Sequence, residues 1–133
     1  MNPTEIVNRH IANIAKPVAD QDHSIYSEQL VSEFPNAPEG HTSRLDGPAA
    51  LSKFLAAIGN FAPERRAEEV EVFEAGEDVV ALFQSNFKVK ENGRSCSMPM
   101  ILILRMEGGK IVRLREYYDP LKVLRAFGEL PEA

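Results

Sequence analysis

The sequence predicts an α+β domain, helices first and an antiparallel meander last, and three observations carry that prediction. From Ile6 to Val18 and again from Leu51 to Ile58 the apolar residues recur at three- and four-residue spacing, the period of a helix with one buried face. From Ala67 onward the period falls to about two, that of a strand. Glycine-bearing turns then divide that second half into runs of strand length. Helices followed by a meander must cover one face of the sheet.

Asn2-Pro3-Thr4-Glu5 opens the first helix: Asn2 can cap, Pro3 suits the first helical position and Glu5 can close a capping box. Ile6, Val7, Ile11, Ile14, Ala15 and Val18 form its apolar stripe, so a helix is expected over roughly residues 3–20, disturbed at Pro17. A short helix around Ser24 to Leu30 follows, then a brief strand Val31 to Phe34 stopped by Pro35. Pro35 to Gly40 is rich in turn formers and reads as a loop. Asp46-Gly47-Pro48 starts the next helix, with Leu51, Phe54, Leu55 and Ile58 inside and Gly59-Asn60 as its stop. Arg65-Arg66, bracketed by Glu64, Glu68 and Glu69, reads as a solvated helix end or loop.

Val70, Val72 and Phe73 lead into the turn Ala75 to Asp78, and Val79 to Val89 form the next strand. Glu91-Asn92-Gly93-Arg94 is a strong hairpin signal, because Asn-Gly accepts the left-handed backbone that such turns require. Met98 to Met106, the turn Glu107 to Lys110 and Ile111 to Tyr118 complete the meander. Pro120 opens a last helix with Leu121, Val123, Leu124 and Phe127 toward the sheet.

The chain has 133 residues, enough for one core, and a single domain over 1–133 is expected. A net charge of -5 with both signs interleaved excludes a surface built to track phosphates, so no nucleic-acid partner is expected. No run of about eighteen apolar residues exists for a membrane span, and charges fall within the first ten residues where a signal peptide would be apolar. A cytoplasmic location is the expectation. Cys96 is the sole cysteine and reads as a core thiol. His10, His23 and His41 have no ligand-like spacing, so no metal is expected, and no glycine fingerprint for a nucleotide cofactor is present.

In this order, Glu33-Phe34-Pro35, Asp46 to Leu51, Gly76 to Val80, Gly109-Lys110-Ile111 and Arg115 to Pro120 resemble the SnoaL-like, ketosteroid-isomerase-like branch of the nuclear transport factor 2-like superfamily. The resemblance spans nearly the whole chain. It implies a cone-shaped, curved antiparallel sheet wrapped around helices with an internal apolar pocket, and a homodimer formed through the sheet. It also implies a small apolar or polycyclic metabolite as ligand, with isomerase or cyclase chemistry in some members and none known in others.

The catalytic sets of the family test poorly against this chain. Where steroid isomerases of this kind place a base aspartate, the chain has Phe34; its first helix lacks the tyrosine, and the second acid matches Ile101. The arginine and aspartate of the epoxide hydrolases match Ser85 and Phe87. Phenazine-pathway members share the terminal Arg-Glu-aromatic string, which assigns their pocket acid to Glu116, while their pocket histidine falls near Lys53 or Phe54. Polyketide cyclases use a late aspartate, matched by Glu116 or Asp119.

Glu116 and Asp119 are therefore the candidate catalytic residues. Strand alternation turns Glu116 inward with Leu114 and Val112, where an apolar cavity would raise its pKa toward general-acid use. Asp119 reads equally as the cap of the last helix. Alternation also separates Glu33 from Phe34, so if Phe34 lines the pocket Glu33 does not. Tyr26, Phe34, Phe54, Phe83, Phe87, Met98, Met100, Leu102 and Tyr118 are the candidate pocket-lining residues.

Overall fold

The computed structural model describes residues 1–132. Among these residues three α-helices pack on one six-stranded sheet: α1 (Pro3–Ile14), α2 (Pro48–Phe61), α3 (Pro120–Ala126), and strands β1 (Tyr26–Glu33), β2 (Arg44–Asp46), β3 (Glu64–Ala75), β4 (Asp78–Lys88), β5 (Ser95–Glu107) and β6 (Lys110–Tyr117). The strand order is β2-β1-β6-β5-β4-β3. The α+β class and the four-strand meander stand as expected.

The sheet is mixed, however, because β1 runs parallel to β6 and joins the meander to the β1–β2 hairpin. Two elements differ from the sequence reading here. Ser24 to Leu30 is not a helix: a single 3-10 turn, His23–Ile25, leads directly into β1. Leu30, Ser32 and Phe34 alternate into the interior, and the pairing with β6, some eighty residues away in the chain, overrides the local preference. β2, unforeseen in the sequence, is held by that same hairpin, in which Phe34 N–H donates to the Ser43 carbonyl at 2.9 Å.

α1 stops at Ile14 rather than near residue 20, and a 3-10 turn at Val18–Asp20 follows Pro17. Its end is fastened by Arg65, which is no solvated helix end. Arg65 lies on the inner face of β3, and its guanidinium donates to the carbonyls of Ile14 at 2.6 Å, Lys16 at 3.0 Å and Ala62 at 3.3 Å. A helix end leaves carbonyls without partners, and the cation supplies them. Gly59 does not stop α2, which continues to Phe61. A Cβ at Gly59 would stand 3.2 Å from the Arg65 guanidinium, so the glycine gives that group its space.

A bulge in β3 between Glu68 and Glu71 carries the only positive φ outside glycine among the described residues, 56° at Glu69, and bulges of this kind bend a strand. The sheet curves over the helices, with Ile6, Val7, Leu30, Leu102, Leu104 and Ile111 in the core between them. The inner face takes Val79, Ala81 and Phe83 from β4 and Met98, Met100, Leu102 and Leu104 from β5. A second bulge, at Val112, shifts the register of β6, so the inner residues there are Ile111, Leu114 and Glu116. In α3 Leu121 is exposed, and Phe127 sits beyond the helix end, stacked on Phe61 at 4.4 Å rather than on the sheet. No helix among the described residues is long and apolar enough to cross a membrane.

Candidate functional site

Between α2, α3 and the concave face of the sheet lies a cavity of about 550 Å³. Phe34 at the end of β1, Phe54 on α2, Phe83 and Phe87 on β4, and Met98 and Met100 on β5 line it, together with Leu114, Glu116 and Tyr118. Their convergence follows from register. Phe83 pairs with Met100 and Phe87 with Cys96, so the apolar residues of β4 and β5 share one face in phase. Phe34 closes one side against Phe54, ring centroids 5.1 Å apart.

Three expected residues lie outside the wall. Leu102 is fully buried in the core, in register with Glu116 but not bordering the space. Tyr26 is buried behind the wall, its hydroxyl 2.6 Å from His10 Nδ1. Asp119 caps α3, its Oδ1 accepting from the backbone N–H groups of Leu121 at 3.1 Å and Lys122 at 3.3 Å. Those bonds engage Asp119 in starting the helix. Glu33 points to the other face and meets Arg115 at 3.2 Å.

Glu116 stands in the cavity wall. Burial alone pushes its carboxyl from an ordinary 4.5 up to about 7, because the ionised form loses water and gains no compensating donor. Its partial exposure is exposure to the cavity. On the same face, the Tyr118 hydroxyl is pushed up first by burial and then by the neighbouring Glu116 charge. A carboxyl balanced in this way can hold or release a proton near neutral pH, the property a general acid or base needs.

Several wall residues were not legible as site residues. His10 on α1 is buried, and burial lowers its imidazole to about 4, so it is neutral. His41, in the loop after Pro38, lines the cavity: its Nε2 meets Glu129 at 2.8 Å and its ring packs edge-on against Phe127 at 5.1 Å. Gly40, Thr42, Arg66 and Glu129 line the cavity yet are exposed, which marks this side as its mouth. Lys53 is exposed, while Phe54 next to it faces inward.

Cys96 is a buried thiol whose pKa burial raises, the opposite of nucleophile activation. Among the described residues no group of three or more His, Cys, Asp or Glu converges to hold a metal.

Residues 7–114 match the SnoaL-like domain family. The chain is 32% identical over 106 residues to the uncharacterised protein YesE of Bacillus subtilis, covering 78% of this chain and 72% of that protein. Among solved structures, a candidate isomerase from Bacillus subtilis superposes with a TM-score of 0.83 at 28% identity over 98% of both chains. A candidate SnoaL-like polyketide cyclase from Jannaschia Sp. CCS1 superposes with a TM-score of 0.78 over 98% of both chains, and at 18% identity it speaks for the fold.

Proposed function

The chain belongs to the SnoaL-like family, and from that membership we propose that its cavity binds a small apolar or polycyclic metabolite, on which Glu116 acts as acid or base in an isomerisation or cyclisation. The observation that carries this reading is the buried Glu116 carboxyl, raised to about 7, in a wall otherwise dominated by Phe34, Phe54, Phe83, Phe87, Met98 and Met100. Such a wall selects ligands by apolar area. Such a carboxyl exchanges protons without an ionised partner beside it. The similarity to a candidate isomerase at 28% identity supports the same chemistry.

The test is a panel of two- to four-ring metabolites screened by thermal shift, with binders then followed for turnover. A bound ligand stabilises by about 2.7 kcal/mol at a hundredfold excess over Kd. Turnover should fall on the order of 10²–10⁴-fold in Glu116→Gln, while binding persists. If ligands bind and none turns over, the chain is a non-catalytic binder of the same fold. If none binds, the pocket reading fails.

We also propose that two copies pair through the outer sheet face. Phe73 and Ile101 are exposed there at 48% and 43%, in rows with Val80 and Ile103 and with Leu82 and Tyr117. A contiguous apolar surface of this kind on a sheet favours a partner. If the paired face proves to be the working surface and the cavity stays empty, the chain is instead a dimeric interaction module.

A further inference from the structure

Besides Glu116 the cavity wall carries a buried histidine, His10, and the hydrogen bonds behind it fix which proton it offers. His10 is 1% exposed and borders the cavity. Its Nδ1 lies 2.6 Å from the Tyr26 hydroxyl. The same hydroxyl accepts from Asn13 Nδ2 at 3.1 Å.

The Asn13 amide has only one possible orientation. Its Oδ1 accepts from the Asp22 backbone N–H at 2.8 Å, and its Nδ2 also donates to the Asp22 carbonyl at 2.9 Å. With Asn13 donating to it, the Tyr26 oxygen directs its own proton to the remaining neighbour, His10 Nδ1. A neutral imidazole that accepts at Nδ1 carries its hydrogen on Nε2.

Among the described residues that Nε2 is buried and has no partner. A buried donor without an acceptor is unfavourable, and folding tolerates few of them. The α1–β1 network thus leaves a buried N–H unsatisfied on a side chain that borders the cavity.

We propose that His10 Nε2–H is the hydrogen-bond donor that orients the ligand, and that the ligand therefore carries an uncharged oxygen acceptor, a ring ketone or related carbonyl. This rests on the pocket reading above and narrows it to a chemical class. A carboxylate ligand would have to give up its water in this mostly apolar wall, whereas an uncharged carbonyl satisfies the donor without that cost. Tyr26 and Asn13 are positioning residues: they touch no ligand and set the tautomer.

The probes are 1-tetralone and tetralin, the same two-ring frame with and without a carbonyl, titrated into the wild-type protein, His10→Phe, His10→Gln and Tyr26→Phe. The affinity ratio of ketone to hydrocarbon should drop about tenfold in His10→Phe, the value of one hydrogen bond, while tetralin binding holds. His10→Gln, which keeps an N–H near the Nε2 position, should restore most of the ratio and serves if His10→Phe does not fold. Tyr26→Phe should lower the ratio without altering tetralin binding.

In the unliganded wild type, nitrogen-15 NMR of labelled histidine should show His10 protonated at Nε2, with 1-tetralone shifting that nitrogen. A proton on Nδ1, or an unchanged ratio in His10→Phe, overturns the inference while tetralin binding leaves the pocket reading intact. Failure of both probes to bind sinks the two together.

Discussion

Glu116 and His10 occupy one cavity wall, and burial drives their proton affinities in opposite directions, from 4.5 up to about 7 and from 6.5 down to about 4. The raised carboxyl favours folding fully below about pH 4.5, and that contribution is lost as pH rises to about 7. The depressed imidazole favours folding fully above about pH 6.5, and that contribution is lost as pH falls to about 4. Between these limits the slopes oppose each other, so wild-type stability should be nearly flat from about pH 4.5 to 6.5. Glu116→Gln removes one slope, and urea unfolding across pH should then show stability dropping by up to about 3 kcal/mol on acidification from pH 6.5 to 4. A profile unchanged by the substitution would mean that the carboxyl is not desolvated. Strand alternation was enough to turn Glu116 inward from sequence alone. His10 was not legible, because its partner Tyr26 lies sixteen residues on, in a segment read as helix.

At the scale of elements, the join between α1 and β3 depends on Arg65 and on the space left by Gly59. The guanidinium holds two carbonyls at the end of α1 and one at the end of α2, and hydrogen bonds to a charged donor contribute about 1.5–3 kcal/mol. Arg65→Ala should therefore lower unfolding free energy by about 2 kcal/mol, read from the urea midpoint. Gly59→Ala would ordinarily stabilise a helix interior by about 1 kcal/mol. Here it should give no gain, since the new Cβ meets a guanidinium already fixed by its bonds, and should recover that gain only in the Arg65→Ala background. Simple addition of the two effects would contradict the contact. The sequence showed α2 through its apolar face but took Gly59 for a stop, because a glycine that ends a helix and one that makes room for a neighbour look alike in one dimension.

For the whole molecule, the two sheet faces divide the work. The concave face carries the cavity and Glu116, and the convex face presents Phe73 and Ile101 to solvent. Phe73→Glu combined with Ile101→Glu places charge in the face proposed to pair, where desolvating an unpaired carboxylate is unfavourable. Sedimentation should show the wild type as a dimer and the double variant as a monomer with unchanged circular dichroism. A wild type already monomeric at tens of micromolar would exclude the pairing.

What the sequence determined by itself is whatever repeats locally: the period of three to four in α1 and α2, the period of two in β4, β5 and β6, the glycine turns between them, and from these the α+β class and the inward side of Glu116. Only the tertiary structure decided the parallel pairing of β1 with β6, the strand in place of a helix after Ile25, the duty of Arg65, and the closing of His41 and Phe127 over the cavity mouth. The physical reason is range. Side-chain periodicity and turn chemistry act over a few residues, whereas these features depend on pairings and packing across tens of residues, in which burial and satisfied hydrogen bonds outweigh local preference.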